Sequence, residues 1–368
     1  MSYVIKPTMT CILWKVLEEK LDLQVGGRLN VDVGWIDLVA RNPTGEYIGL
    51  MVEAIWEKGI LGNLKKELRF LDQILKYMTS GYFDYFYICI PKGGDKREEK
   101  IRSLERILDS EETRRRYLSY LLNNPDDYYS FRMYGDYLSN CGILAIDEKW
   151  IKINREKENI DFPDLEKRQP KRLCRSHQVN MPDINKARIA CDVWNYYTKI
   201  ENVLPIRKGV LPNLEGKEPR RIDIMVFKGE TRANEILRNQ EKFDLIGIEV
   251  KSNLNNVKLI LKQMNLYRNS GGLTRLYMAV PSKLEEDALS LFEDTPDVGL
   301  ITVDKKIVRT IREAKRLEMK YDAILYEKAG FQEKLGYRTS VSRRILEIGW
   351  GGDAEKYESI YSYQDKNH

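Results

Sequence analysis

The sequence predicts an α/β architecture built twice in tandem. Each copy is a mixed sheet flanked by helices, and a helical C-terminal tail follows the second. Three observations predict this. Short apolar runs bounded by polar residues alternate with amphipathic stretches of helical period, the pattern of strands and helices in layered α/β domains. The order of those runs in the first half recurs in the second, as an internal repeat requires. And 368 residues suffice for two domains with sizeable cores.

Each copy is expected to open with a helix, near Thr8 to Leu21 and Asp183 to Lys199. Asp183 is the expected N-cap of the second, just after Pro182. Two or three strands follow, then a helix at Leu64 to Met78 or Val257 to Asn269. A buried strand comes next, Tyr85 to Ile90 and Arg275 to Val280, each halted by a proline. A last strand closes the copy, Gly142 to Ile146 and Gly299 to Val303.

The repeat is read residue by residue. Cys11 and Trp14 parallel Cys191 and Trp194, and the run from Trp35 to Val39 parallels Arg221 to Met225. Ile48 to Glu53 parallels Ile246 to Lys251, and Gln73 and Tyr77 parallel Gln263 and Tyr267. Tyr77 and Pro91 are as far apart as Tyr267 and Pro281, and Gly142 to Asp147 parallels Gly299 to Asp304. The domains expected are residues 1–160, a basic linker at 161–180, a second domain at 181–319 and a tail at 320–368. A charged insertion near 93–134 carries two exposed helices, Lys96 to Leu108 and Glu111 to Leu122, read as a solvated face. The linker's basic cluster runs from Lys167 to Arg172 with Arg175, and is suited either to tracking phosphates or to solubility. A polar insertion, Lys228 to Lys242, separates two strands of the second copy and is expected to border its site. In the tail, Gly349 to Gly352 reads as a turn, and Tyr357, Tyr361 and Tyr363 are candidates for docking on a domain or a partner subunit.

The second copy carries the chemistry. Alternation along a strand puts Glu249 and Lys251 on one face and sends Ile246, Ile248 and Val250 to the other. Asp223 lies on the preceding strand. If the strands are neighbours, the two carboxylates converge and offer hard oxygen ligands to a divalent cation, magnesium above all. Lys251 then lies beside a metal-bound water or the charge that builds on a phosphoryl group. Gln263 and Tyr267 stand at i, i+4 on the next helix and share a face.

This set resembles the PD-(D/E)XK, or restriction-endonuclease-like, nuclease superfamily over roughly Asp183 to Asp304. Asp223 matches the first acid, Glu249-Val250-Lys251 the ExK element, and Gln263 with Tyr267 the QxxxY extension of one branch. Ile222 replaces the proline that often precedes the first acid. The resemblance implies phosphodiester hydrolysis with Mg2+ or Mn2+ as cofactor, held by Asp223 and Glu249, with the Val250 carbonyl in the metal shell. It also implies an acid on the opening helix, for which Asp192 is the candidate. In the first copy Asp37 persists, but Met51 stands for Glu249, Glu53 for Lys251 and Ile12 for Asp192. A two-residue shift would offer Glu53 as a ligand, with Ile55 then in place of the lysine. Either register leaves the first copy catalytically idle, for nucleic-acid binding or as half of a pseudo-dimer. Because Gln73 and Tyr77 persist there, packing or substrate holding competes with chemistry as the role of Gln263 and Tyr267.

Composition narrows the classes. The two histidines, His177 and His368, leave little room for histidine triads or His-rich zinc sites. Five cysteines without a CxxC pair, and no secretory signal, read as reduced thiols in a cytoplasmic protein. No apolar run approaches a membrane span, and no Walker-type phosphate loop occurs. A net charge of +5 permits a nucleic-acid partner, DNA being the one expected. A homodimer, or a protein partner bound through the tail, is also compatible. The expected activity is DNA endonuclease. The alternatives are a non-catalytic nucleic-acid-binding or scaffold protein and an RNA-directed nuclease of the same fold.

Overall fold

In each half, alternation and proline placement decide where the strands run, and the helices cover what the strands leave apolar. The computed structural model describes residues 6–19, 21–53, 63–92, 97–147, 166–182, 185–200, 203–211, 220–229 and 243–318. The chain divides into two units, Met1–Asp183 and Ile184–His368. The tail, the polar insertion beyond Gly229, Ile55 and Asp183 lie outside the described residues.

The first unit begins with α1 (Lys6–Glu19). β1 (Gln24–Val31), β2 (Gly34–Arg41) and β3 (Tyr47–Val52) follow as an antiparallel meander. Asn63 caps α2 (Leu64–Met78) by accepting from the Lys66 amide. β4 (Tyr85–Lys92) and β5 (Gly142–Asp147) then extend the sheet in parallel, and β6 (Glu166–Arg168) closes it antiparallel. Between β4 and β5 lie α3 (Arg97–Asp109), α4 (Glu111–Asn123), α5 (Tyr129–Tyr134) and a short 3-10 turn, Gly135–Asn140.

The second unit repeats the scheme. It runs α6 (Lys186–Thr198), β7 (Val203–Leu211), β8 (Arg220–Gly229), β9 (Phe243–Val250), α7 (Val257–Arg268) and β10 (Arg275–Pro281). A 3-10 turn, α8 (Glu285–Leu291), β11 (Val298–Asp304) and β12 (Ile307–Arg312) complete it. Each unit therefore holds one six-stranded mixed sheet, and both sheets have the same strand order. The registers agree as well. Leu38 faces Leu50 as Ile224 faces Ile248, and Tyr87 faces Gly142 as Tyr277 faces Gly299. The unshifted alignment is thus the structural one, and Met51 is level with Glu249.

Both faces of each sheet are covered. A Cβ at Gly27, which pairs with Leu38, would meet the Trp14 ring at 2.2 Å, so α1 lies against that face. Met51 and Val39, of opposite parity, share a core with Leu68, Leu71, Ile74 and Leu75 of α2. In the second unit Arg207 holds the Gly27 position, pairing with Ile224, and reaches Cys191 of α6.

Several expectations are corrected. The strands do not stop before the prolines: Pro91 and Pro281 are the last or nearly the last strand residues. The neighbouring ladders end at Val52–Cys89 and Val250–Ala279. Each proline lies beyond the ladder with β3 or β9, the side its missing N–H would face, while on the other side it is level with Ile146 of β5 or Val303 of β11. Asn185, not Asp183, caps α6, accepting from the Arg188 amide at 2.8 Å. The linker is not a free connector. Glu166–Arg168 forms β6, and Leu173 and Val179 are buried in the first unit's core. Arg175 pairs with Asp84 at 3.0 Å and stacks over Tyr47, and Arg172 pairs with Glu46, so these two charges are engaged within the unit.

The insertion helices are not merely a solvated face. Leu104, Leu108, Tyr117 and Leu121 enter the core, and the Tyr117 hydroxyl donates to buried Glu67 at 2.7 Å. Among the described side chains Arg102, Arg106, Glu111, Glu112 and Arg115 stay exposed on the other side, as amphipathic helices require. β12 was not anticipated. Its hairpin turns at Lys305 and Lys306, with φ of 42° and 74°. These angles usually call for Asn or Gly, and two lysines carry no turn signal.

Candidate active site

The site lies where β8 and β9 meet at the C-terminal end of the parallel strands, the usual crevice of such sheets. Asp223 and Glu249 are almost fully buried, at 1% and 2% exposure. Asp223 is fixed by its strand neighbour, for its Oδ2 accepts from the Val250 amide at 3.0 Å. The first unit repeats that bond, Asp37 accepting from Val52 at 2.9 Å. This aspartate therefore ties two strands together whether or not the second acid is present.

α7 supplies the next groups. Asn256 caps it, and Ile260, Met264 and Tyr267 bury one stripe at helical spacing. Gln263 stands beside that stripe and reaches the site. Its Nε2 donates to Glu249 at 3.0 Å and to the Tyr267 hydroxyl at 2.7 Å, and its Oε1 accepts from Lys251 Nζ at 2.7 Å. Lys251 also donates to Glu249 Oε1 at 3.0 Å. Four of the residues expected from sequence, Glu249, Lys251, Gln263 and Tyr267, are thus joined in one hydrogen-bonded network, while Asp223 is bonded to the Val250 amide beside it. In the first unit Met51 packs into the core where Glu249 stands, and the Tyr77 hydroxyl donates to the Trp35 carbonyl instead.

Asp192 is the exception. It is buried on α6, but its carboxylate pairs with Arg188 one turn earlier at 3.3 Å. Among the described residues no three His, Cys, Asp or Glu side chains come together as a metal site. The residue that α6 does deliver is Lys186. Its Nζ lies 2.7 Å from Asp223 Oδ2 and 3.5 Å from Glu249 Oε1. Lys186 is not among the residues expected from sequence, because a lysine matches none of the acid positions of the motif. The repeat carried the signal, since a lysine, Lys6, also begins α1. Arg207, also missed, is buried behind the strand and donates to the Asp223 carbonyl at 3.3 Å.

Electrostatics follow from burial. Burial foremost, and the charge of Asp223 second, push the Glu249 carboxyl above its ordinary value, while Lys186 and Lys251 pull it back. Burial, and then the charge of Glu249, push the Tyr267 phenol up, so it stays neutral and serves as a hydrogen-bonding group. Two buried carboxylates that strain against each other favour a cation between them. Magnesium is commonly held by one or two carboxylates with water or substrate oxygens completing its shell. Asp223 and Glu249 fit that donor set.

No protein-family model and no curated protein matches this chain. Among solved structures, a protein of unknown function from Silicibacter pomeroyi is similar at 14% identity and a TM-score of 0.28, covering 45% of this chain and 93% of that one. At that score the similarity carries no argument. No helix of the described residues is long and apolar enough to cross a membrane.

Proposed function

We propose that the second unit is a metal-dependent nuclease of the PD-(D/E)XK superfamily, a DNA endonuclease that works with Mg2+ or Mn2+ in the cytoplasm. One observation carries the reading. Glu249, Lys251 and Gln263 form a single network at a strand-end crevice, and Lys186 bridges it to Asp223, whereas in the first unit the position of Glu249 holds an apolar residue buried in the core. A sheet that needed these groups only for folding would not have to keep two carboxyl groups out of water.

Asp223 and Glu249 would hold the cation. When bound, it supplies Lewis acidity toward a phosphoryl oxygen and a water of lowered pKa. Gln263 and Glu249 fix the Lys251 ammonium, which is thereby placed to orient the attacking water and to stabilise negative charge on the phosphorus centre. Tyr267 accepts from Gln263 and positions it. The first unit, with Met51 in place of the second acid, assists substrate binding or pseudo-dimer assembly rather than chemistry.

The test is cleavage of linear duplex, single-stranded, branched and circular DNA and of RNA, with Mg2+, Mn2+ or chelator, by wild type, Lys251→Ala and Glu249→Ala. Metal-dependent cutting of DNA, including circles, lost in both variants, is expected. Cutting of RNA alone would move the substrate class. Binding of nucleic acid without cutting of any substrate, unchanged in both variants, would replace the reading with a scaffold.

A further inference from the structure

The geometry points to Lys186 as a displaceable counter-ion. It competes with the divalent cation for Asp223 and Glu249, and so sets the metal affinity of the site. The inference rests on the metal-nuclease reading and extends it to a residue outside the motif.

The ammonium of Lys186 is shared between one oxygen of each acid, at 2.7 and 3.5 Å. A metal ion bound to those same two oxygens would have to stand where the ammonium stands. Two cations cannot share that space, because their repulsion is strongest where water is excluded. Metal binding and the Lys186 contacts therefore exclude each other.

Mobility separates the two lysines. The acids are anchored, Asp223 by the Val250 amide and Glu249 by Gln263. Lys251 is anchored too, by Gln263 at 2.7 Å, and its side chain is only 18% exposed. The Lys186 side chain is 42% exposed, and its described polar contacts are with the two acids alone. Its stem can swing toward solvent without breaking another bond, and the four-carbon chain loses little in doing so.

Local rules also mark the residue. Lys186 is the first residue of α6, whose opening turn contains no acid. A cation there opposes the helix dipole. A residue that breaks a local preference signals a compensating contact elsewhere, and the compensation here is the carboxylate pair. Once displaced, the ammonium would remain on the open side of the site, where a phosphodiester would approach.

The experiment is calorimetric titration of Mn2+ into the full chain, without substrate, for wild type, Lys186→Gln, Lys186→Arg and Asp223→Asn. We expect Lys186→Gln to bind Mn2+ at least about tenfold more tightly than wild type, the ratio that corresponds to about 1.4 kcal/mol. Lys186→Arg is expected to stay near wild type, and Asp223→Asn to lose binding. Binding by Lys186→Gln that is equal to or weaker than wild type overturns the inference and leaves the nuclease reading in place. Absence of binding in both wild type and Lys186→Gln overturns both. A second measurement needs no variant: the rate at which an amine-acetylating reagent modifies Lys186 in wild type, read by mass spectrometry. Displacement predicts a rise on adding Mn2+ while Lys251 is unchanged or slower, and an unchanged rate at Lys186 rejects it.

Discussion

Glu249→Met gives the second unit the residue that the first carries at the same register, where Met51 is 3% exposed in the core. The substitution removes three hydrogen bonds to the carboxylate, from Lys251 and Gln263, each at 3.0 Å, and a longer one from Lys186 at 3.5 Å. Bonds to a charged group are worth about 1.5–3 kcal/mol each. Against that loss stand the cost of keeping a carboxylate out of water, several kcal/mol in effective terms, and its repulsion from Asp223. Neither ammonium is stranded, for Lys186 keeps Asp223 at 2.7 Å and Lys251 keeps Gln263 at 2.7 Å. The opposing terms are of similar size, so stability should change by no more than about 2 kcal/mol in either direction, as replacement of buried ionic groups by apolar ones often shows. For a unit of this size that is a Tm shift of several degrees at most. Metal-dependent cleavage, by contrast, should fall at least about 100-fold, beyond the loss seen when a residue merely supporting a ligand is removed. Urea unfolding beside cleavage in Mn2+ measures both. A loss of more than about 4 kcal/mol, the range for breaking a structural buried pair, would refute the reasoning, because Glu249 would then be holding the fold. Retained cleavage would refute it equally.

Tyr267→Phe removes the hydroxyl that receives Gln263 at 2.7 Å but keeps the buried ring; cleavage should drop about 10- to 100-fold while Mn2+ affinity measured by calorimetry is unchanged. Gly247→Ala would place a Cβ 2.5 Å from Leu273 Cδ1 and 2.6 Å from Ile222 Cδ1, so denaturation should show a loss of about 1–3 kcal/mol from overpacking. Burial and the hydrogen bond to Glu313 push the Tyr277 phenol up to about 12 from 10.0. The fold thus prefers the neutral phenol: stability is fully present below pH 10 and is lost as pH rises from there through about 12. Tyr277→Phe should flatten that alkaline decline in melts recorded at stepped pH, and an unaltered slope would show that this phenol is not its cause.

Two helices with a strong stripe, α2 and α7, were read from sequence within a residue of their observed ends, because burial of one face at helical period leaves a clear signature. The catalytic candidates at the end of β9 followed from strand parity, which is local: Glu249 and Lys251, the residue just past the strand, share a side as long as the chain stays extended. The repeat left two registers open for the first copy, and the strand pairing decided between them, since Leu38 faces Leu50 as Ile224 faces Ile248.

What the tertiary structure decided is what depends on neighbours far along the chain. β6 and β12 are edge strands with charged or polar residues, and only a waiting partner strand turns such segments into sheet. The basic run after β6 reads as a linker until Asp84, Glu46 and Tyr47 are found beside Arg172 and Arg175. Asp192 sits on the expected helix, but helical geometry pairs it with Arg188 at i−4, and Lys186, a turn and a half away at the helix start, reaches the acids in its place. Sequence alone determined which residue types lie on which side of each element, because that is set by backbone period. Which of those sides meet, and with what charge between them, was decided by the way α6, α7 and the strand ends pack around Asp223 and Glu249.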